Sequence, residues 1–314
     1  MSPSGRGASR RGEGRDRDGR GESRREPAGR ARAASGGPKH SRSAAAGPRG
    51  RVNPPGGWHQ DPRRLGQRLR GSELGGEQVE GRQAVRALLA AGRRRVRDVW
   101  ISESATPGPS LAAVESLAVS ARVPVRRVAQ ARLEAEARTD APQGVLAHAA
   151  ALEGLLLDDL ASAERPFLVV ADGVTDPRNL GALARAAEIA GVTGLVLPRR
   201  RAVHITPAVT KAAAGAIEYL SFALVPGVPN ALASLESAGV WTVGLAPDAP
   251  ASLFEADLPG SRVALVVGAE GRGLSSLVRR RCDLVVRIPQ HGRTESLNLA
   301  TAAAVACFEL ARRR

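Results

Sequence analysis

The chain of 314 residues is long enough for two domains, and its 43% hydrophobic content can supply a sizeable core although only 3% of the residues are aromatic. The formal net charge of +15, carried almost entirely by arginine, favours a polyanionic partner, although a GC-rich genome would give the same arginine bias. The two cysteines lack metal-ligand spacing and no apolar run is long enough to span a bilayer, which argues against a zinc site, a disulfide framework and a membrane protein.

The first part of the chain, residues 1–76, is dominated by Gly, Ser, Ala, Pro and Arg and is nearly free of apolar side chains. Such a segment cannot bury enough surface to offset the entropy lost on ordering, so it is predicted to be a disordered basic tail. An RNA-tethering arm and a solvated extension without a specific role both fit this composition. The polar N-terminus lacks the apolar core of a signal peptide, and together with the few cysteines this predicts a cytoplasmic protein.

Residues 77–151 alternate short helical and strand patterns and are predicted to form a small α/β domain. The patterns indicate helices over 81–92, 111–121 and 131–138 and strands over 96–101, 123–128 and 143–148. Residues 152–165 then indicate a linker that contains a short helical stretch.

Residues 166–314 are predicted to form a second α/β domain. The segment 167–171 is almost continuously apolar, as expected for a strand of a parallel sheet that is covered on both faces. A helix is predicted over 180–190, and further strands over 194–197, 219–225, 240–245, 263–267 and 284–288. Repeated strand–helix units favour a parallel sheet with right-handed crossovers.

Polar residues follow the first strand of this second domain. Asn179 lies where the predicted helix begins, which is the position of an N-cap residue or of a polar group in a site. Arg185 lies six residues further along the same helix. It can either reach back to the strand ends or extend along the surface into water.

Two more segments place polar groups after a predicted strand. The loop that begins at Gly268 has the spacing G-x-x-G-x-G, which differs from the dinucleotide fingerprint, and its Glu270 could orient an arginine or cap a helix. Further on, Ser296 and Asn298 bracket Leu297 at the start of a long alanine-rich helix. Ser296 could cap that helix, or the segment could hold a ligand through exposed backbone amides.

Taken together, these segments resemble the SpoU (TrmH-like) branch of the SPOUT RNA methyltransferases. The resemblance rests on Asn179 with Arg185, on G-A-E-G-x-G from Gly268, and on I-P-x-x-G-x-x-x-S-L-N from Ile288, in this order over about 150 residues. Residues 79–85 and 143–145 also resemble the N-terminal substrate-binding domain of that family, which has a ribosomal-protein-like RNA-binding fold.

The resemblance implies a C-terminal domain with a trefoil knot, S-adenosylmethionine as cofactor, a homodimer, and methylation of a ribose 2′-hydroxyl on a guanosine of large-subunit ribosomal RNA. It assigns the cofactor contacts to Gly268, Ile288 and Leu297. It assigns the catalytic surround to Asn179, Arg185, Glu270, Ser296 and Asn298. Glu270 is expected to orient Arg185 through a charge-assisted hydrogen bond, and Asn179 to place the ribose or the arginine.

Several alternatives stay open at this level. The substrate could be transfer RNA, or the chain could be a non-catalytic RNA-binding assembly factor. Arg185 could act as the base, or it could grip phosphate and polarise the hydroxyl while water takes the proton, because a guanidinium is a poor base at neutral pH. The basic run 199–201 is either an RNA contact or a solvated loop, and His291 is interpreted as a bystander.

Overall fold

The computed structural model describes residues 74–258, 260–294 and 296–314. Residues 1–73 of the predicted tail lie outside this range. Leu74 was also assigned to the tail, but its side chain is fully buried in the core of the second domain. Its carbonyl accepts a hydrogen bond of 2.8 Å from the amide of Ile205. The residues just before the first strand therefore belong to the folded structure.

The described residues form two sheets and their covering helices. The strands are, in chain order, β1 Gln78–Glu80, β2 Val96–Ser102, β3 Val125–Val128, β4 Val145–Ala149, β5 Phe167–Asp172, β6 Gly194–Pro198, β7 Ser221–Val225, β8 Trp241–Leu245, β9 Ala251–Ser252, β10 Val263–Gly268 and β11 Leu284–Arg287. The helices are α1 Arg82–Ala91, α2 Pro109–Ser120, α3 Gln130–Glu136, α4 Leu157–Ala161, α5 Pro177–Ile189, α6 Pro207–Ala212, α7 Val228–Ser237, α8 Ser276–Arg281 and α9 Leu299–Arg313, with a 3₁₀ helix at Ala216–Glu218.

The smaller sheet has the strand order β1-β4-β2-β3, with β4 antiparallel to both of its neighbours and β2 parallel to β3. Helices α1 and α2 cover it with apolar side chains, and α1 ends at Gly92, which has a left-handed φ of 59°. The predicted strand 143–148 was wrong at its start. Gln143 and Gly144 have φ values of 57° and 70° and form a turn, so β4 begins at Val145.

The larger sheet has seven parallel strands in the order β7-β6-β5-β10-β8-β11-β9. Both faces are covered, so alternate residues of one strand enter different cores: Val169 faces the core with α5 and α9, whereas Leu168 and Val170 face the core with α7 and α8. Every residue of β10 is buried. This arrangement explains why the central strands are almost continuously apolar, and it confirms the predicted parallel α/β fold.

The strand β11 lies between β8 and β9, although β8 and β9 precede it and follow each other in the chain. The carbonyls of Val286 and Arg287 accept hydrogen bonds from Ala246 (3.0 Å) and Leu253 (2.8 Å), on either side of the short connection between the two earlier strands. The Arg287 side chain also donates to the carbonyl of Ala249 in that connection (2.7 Å). A late segment of the chain is thus held against the loop formed by an earlier segment.

A buried ion pair joins the small sheet region to the large one. The Arg94 guanidinium contacts Glu218 at 2.5 Å and 3.0 Å, and the two side chains are only 5% and 2% exposed. Arg94 also donates to the carbonyls of Gly76 and Ala150, both at 2.7 Å. Arg94 lies between α1 and β2, and Glu218 lies in the 3₁₀ helix before β7, so this pair fixes one region against the other.

We expect Glu218→Gln to lower the free energy of unfolding by about 3 kcal/mol, because it leaves the Arg94 charge buried without its counter-charge. Urea unfolding at neutral pH measures this loss. The matched control is Glu236→Gln, an exposed glutamate of α7, which should change the free energy of unfolding by less than about 0.5 kcal/mol. Equal stability of the two variants would contradict a structural role for the pair.

The two cysteines pack with apolar side chains: Cys307 is fully buried in one core, and Cys282 is partly buried against the other. Burial raises the pKa of the Cys307 thiol to about 12. The pKa of Cys282 is also raised to about 12, chiefly by burial and further by the nearby Asp283 and Asp172 carboxylates. Among the helices of the described residues, none has the length and apolar character needed to cross a membrane.

Candidate active site

A cavity of about 360 Å³ opens at the carboxyl ends of β8, β10 and β11. This edge of a parallel sheet is where ligands collect, because the loops that follow the strands meet there. The volume lies at the lower end of the range found for small-molecule sites. The lining residues are Leu245, Ala246, Pro247, Val267, Gly268, Ala269, Glu270, Gly271, Gly273, Ile288, Gln290, Ser296, Leu297, Asn298, Leu299 and Ala302.

The loop after β10, residues 268–273, forms one wall of this cavity and is closed on itself. Ala269 and Gly273 exchange two backbone hydrogen bonds, of 2.8 Å and 3.1 Å. Gly268 leaves no room for a side chain, since a Cβ there would lie 2.0 Å from the carbonyl carbon of Gly273 and 2.2 Å from the amide of Leu274. Only glycine permits this close approach of two backbone segments, which gives the cavity a wall of bare backbone.

Three polar side chains from three separate segments form a hydrogen-bonded chain beside the cavity. Asn298 donates from Nδ2 to Oδ1 of Asn179 (3.0 Å), and Asn179 donates from Nδ2 to Oε2 of Glu270 (2.7 Å). The orientation of the chain is set at one end, because Oδ1 of Asn298 caps α9 by accepting from the amides of Ala300 and Thr301. The Nδ2 group of Asn298 must therefore donate to Oδ1 of Asn179. The Nδ2 group of Asn179 is then left to donate to the Glu270 carboxylate, which can only accept.

The structure brings together seven of the eight site residues that the sequence predicted. Six of them line the cavity: Gly268, Glu270, Ile288, Ser296, Leu297 and Asn298. The seventh, Asn179, is only 7% exposed and bonds to two of these six. Their proximity could be expected from the shared sheet edge, but their pairing could not.

Two capping interpretations were wrong. Asn179 does not cap α5, because the helix begins two residues earlier and the side chain of Asp176 accepts from the amide of Arg178 as the cap. Ser296 does not cap α9, since Asn298 holds that position. In both cases two polar residues lie near the start of the helix. Because one of them caps the helix, the side chains of Asn179 and Ser296 are not needed as caps.

Arg185 is the eighth predicted site residue, and it lies elsewhere. Its side chain is exposed on α5, outside the lining of the cavity. Among the described residues it has no hydrogen bond or ion pair. The expected hydrogen bond from Arg185 to Glu270 is therefore absent among the described residues, where the Glu270 carboxylate accepts from Asn179.

One wall of the cavity was not among the predicted site residues. Leu245, Ala246 and Pro247 follow β8 and line the site, although none of them carries a polar or glycine-rich signature. The end of a predicted parallel strand was the only available signal. His291 is not among the residues that line the cavity. The described ranges contain no cluster of three or more His, Cys, Asp or Glu residues suited to a metal ion.

The fold and the cavity together define an α/β protein with a ligand site at the carboxyl edge of a parallel sheet. Two family matches make this class specific. Residues 166–308 match the SpoU rRNA Methylase family, and residues 78–155 match the RNA 2′-O ribose methyltransferase substrate binding family.

The match to relatives of known name extends over nearly the whole length of those relatives. The 23S rRNA (guanosine-2′-O-)-methyltransferase RlmB of Pseudomonas putida is 36% identical over 243 residues, which cover 76% of this chain and 97% of the relative. The enzyme of the same name from a Burkholderia species is 40% identical over 242 residues, or 75% of this chain and 96% of the relative. The chain belongs to the SpoU rRNA methylase family.

Two solved structures show the same fold with a cofactor. The SpoU methyltransferase AviRb of Streptomyces viridochromogenes, in complex with AdoMet, superposes with a TM-score of 0.62 at 25% identity, covering 75% of this chain and 89% of that one. An AdoMet-bound rRNA methyltransferase from Sinorhizobium meliloti gives a TM-score of 0.61 at 26% identity, covering 75% and 86%.

Proposed function

We propose that this protein transfers a methyl group from S-adenosylmethionine to a ribose 2′-hydroxyl of RNA, and that its target is a guanosine of 23S ribosomal RNA. The observation that carries the proposal is the cavity at the sheet edge, where the Asn298–Asn179–Glu270 chain borders a backbone-walled site. The named relatives support the target, since they match this chain across both family regions. A ribosomal RNA substrate would place the protein in the cytoplasm.

The residues of the cavity fit an S-adenosylmethionine molecule. Apolar side chains such as Leu245 and Ile288 can cover a flat heterocycle, and the bare backbone at Gly268 offers amides and carbonyls at close range. Leu297 is exposed at the edge of the cavity and can close over a ligand. When bound, this cofactor supplies a methyl group that is already activated by a positively charged sulfur.

The side chains of the chain itself then have to align the acceptor and remove one proton. Asn179 is held from both sides by Asn298 and Glu270, so its position is fixed before RNA arrives. We assign to Arg185 the role of gripping the RNA and polarising the 2′-hydroxyl, with water as the proton acceptor, because a guanidinium stays protonated at neutral pH. Ser296 lies at the cavity and can hydrogen-bond the ribose.

We also propose that the active form is a homodimer in which Arg185 serves the cavity of the partner subunit. Arg185 lies outside its own cavity, so a single chain does not complete the site. The same face of α5 carries Ile189, which is 60% exposed, and the adjoining helix α9 carries Phe308, which is 51% exposed. Large apolar side chains that are exposed on two packed helices are typical of a protein interface.

The insertion of β11 between β8 and β9 supports a further element of the proposal, a trefoil knot in the C-terminal domain. The later strand is hydrogen-bonded on both sides of the loop that joins the two earlier strands. Threading the chain through that loop would produce this neighbour order. The knot would hold this side of the cavity in place, because the strand β11, which leads to the lining residues Ile288 and Gln290, could not slip out of the sheet.

The function is tested by incubating the purified protein with S-adenosylmethionine labelled in the methyl group and with ribosomal RNA, transfer RNA or no RNA. We expect label in 23S ribosomal RNA, at one linkage that resists alkaline hydrolysis, because that cleavage needs a free 2′-hydroxyl. Label in transfer RNA alone would contradict the ribosomal RNA target and identify transfer RNA as the substrate. Absence of label from both RNAs, with S-adenosylmethionine bound normally, would contradict methyl transfer and favour an assembly factor.

A further inference from the structure

A second cavity, of about 460 Å³, opens on the other side of the glycine loop 268–273. It lies at the carboxyl ends of β5, β6, β7 and β10, whereas the first cavity lies at those of β8, β10 and β11. The two cavities share Ala269 and Gly273 as lining residues. They are therefore neighbours along one sheet edge, separated by the thickness of one loop.

The second cavity is cationic. Arg200, Arg201 and Arg272 line it, all three are exposed, and none has a hydrogen bond or ion pair with another described residue. Asp172 contributes the single carboxylate among the lining residues, and one of its oxygens accepts from the amide of Ser275 at 2.9 Å. Three guanidinium groups against one carboxylate leave a net positive charge in a concave surface, which strengthens the local field.

The backbone positions two of these arginines in unusual conformations of the chain. Arg201 has a left-handed φ of 60°, which costs a non-glycine residue about 1 kcal/mol. Arg272 lies at the tip of the closed loop between Gly271 and Gly273, which have φ values of 77° and 64°. On this tip Glu270 bonds to Asn179 on the first cavity's side, whereas Arg272 lines the second cavity.

Arginine is the side chain best suited to a phosphodiester, because its fork of donors can bind two phosphate oxygens at once. Phosphate contacts are also what fixes the register of a nucleic acid on a protein. We propose that the second cavity binds a backbone phosphate of the substrate RNA beside the target nucleotide, so that Arg200, Arg201 and Arg272 position the ribose at the first cavity. The inference rests on the proposed function, which it extends by naming the site that holds the RNA strand.

The test is a triple variant, Arg200→Gln, Arg201→Gln and Arg272→Gln, in the full chain, with an in-vitro transcribed 23S ribosomal RNA as the probe. Filter binding at several salt concentrations should show about tenfold weaker binding at low salt. The slope of log Kd against log salt should fall by about 2, as expected when three contacts to single-stranded phosphates are lost. In methyl transfer the KM for RNA should rise, while the calorimetric affinity for S-adenosylmethionine stays unchanged.

The matched control is Arg280→Gln, which removes an exposed arginine of α8 outside the cavity. An unchanged salt slope in the triple variant would overturn the inference. An equal loss of RNA affinity per removed charge in the control would also overturn it, because the arginines would then act through a diffuse positive field and not through a site. RNA binding is measured without catalysis. A wild-type protein that transfers no methyl group would therefore contradict the proposed function, while the salt slopes would still decide on the phosphate site.

Discussion

Replacing Gly268 with alanine is expected to lower the affinity for S-adenosylmethionine by at least about a thousandfold. The new Cβ would lie 2.0 Å from the carbonyl carbon of Gly273 and 2.2 Å from the amide of Leu274. Both neighbours are backbone atoms in a loop closed by two hydrogen bonds, so the clash cannot be relieved by rotating a side chain. The loop must open, and the wall of the cavity moves with it.

Isothermal titration calorimetry of the variant measures the loss of affinity, and circular dichroism shows whether the chain remains folded. The control is Gly271→Ala in the same loop. Gly271 has a φ of 77°, but an added Cβ meets no atom within 4 Å. That variant should lose only about 1 kcal/mol from backbone strain and should keep most of its donor binding. Near-normal affinity in Gly268→Ala would show that the loop does not form the donor site.

Much of the larger sheet could be predicted because its strands are buried on both faces. The apolar run 167–171 coincides with β5 apart from one residue, and the run 263–267 coincides with β10 in the same way. The two-residue strand β9 could not be predicted, since it pairs only with β11, which follows it by about thirty residues. The strand order in this part of the sheet depends on the placement of β11 between β8 and β9. The spacing of hydrophobic residues along the chain carries no information on which strands become neighbours.

The site was predictable as a set of residues but not as a set of bonds. Polar groups after neighbouring parallel strands had to meet at one edge, which explains why Glu270 and Asn298 both reached the cavity. The hydrogen-bond partner of Glu270 could not be predicted. Asn179 is 91 residues away in the chain, and Arg185 lies on the same helix as Asn179. An argument from charge favoured Arg185 as the partner of Glu270. In the structure the first turn of α5 places the side-chain amide of Asn179 next to Glu270.

The position of Arg185 leads to the second large effect that we expect. Arg185→Ala should reduce methyl transfer to 23S ribosomal RNA about a thousandfold, at the upper end of what one preorganised polar group contributes. The affinity for S-adenosylmethionine should stay unchanged, because Arg185 does not line the cavity of its own chain. Label incorporation and calorimetry on the same preparation separate the two effects. Near-normal methyl transfer by the variant would contradict the role that we assign to Arg185.

Mixing two inactive variants tests whether the arginine acts across the dimer. Arg185→Ala chains keep an intact donor loop, and Gly268→Ala chains keep an intact arginine. If the arginine serves the partner's cavity, a mixed dimer contains one complete site, whereas an arginine that serves its own chain leaves both sites of the mixed dimer defective. Random exchange makes about half of the dimers mixed, so about a quarter of wild-type methyl transfer should return on mixing equal amounts. No recovery in a mixture shown to exchange subunits would restrict Arg185 to its own chain, where α5 would have to move to bring it to the cavity.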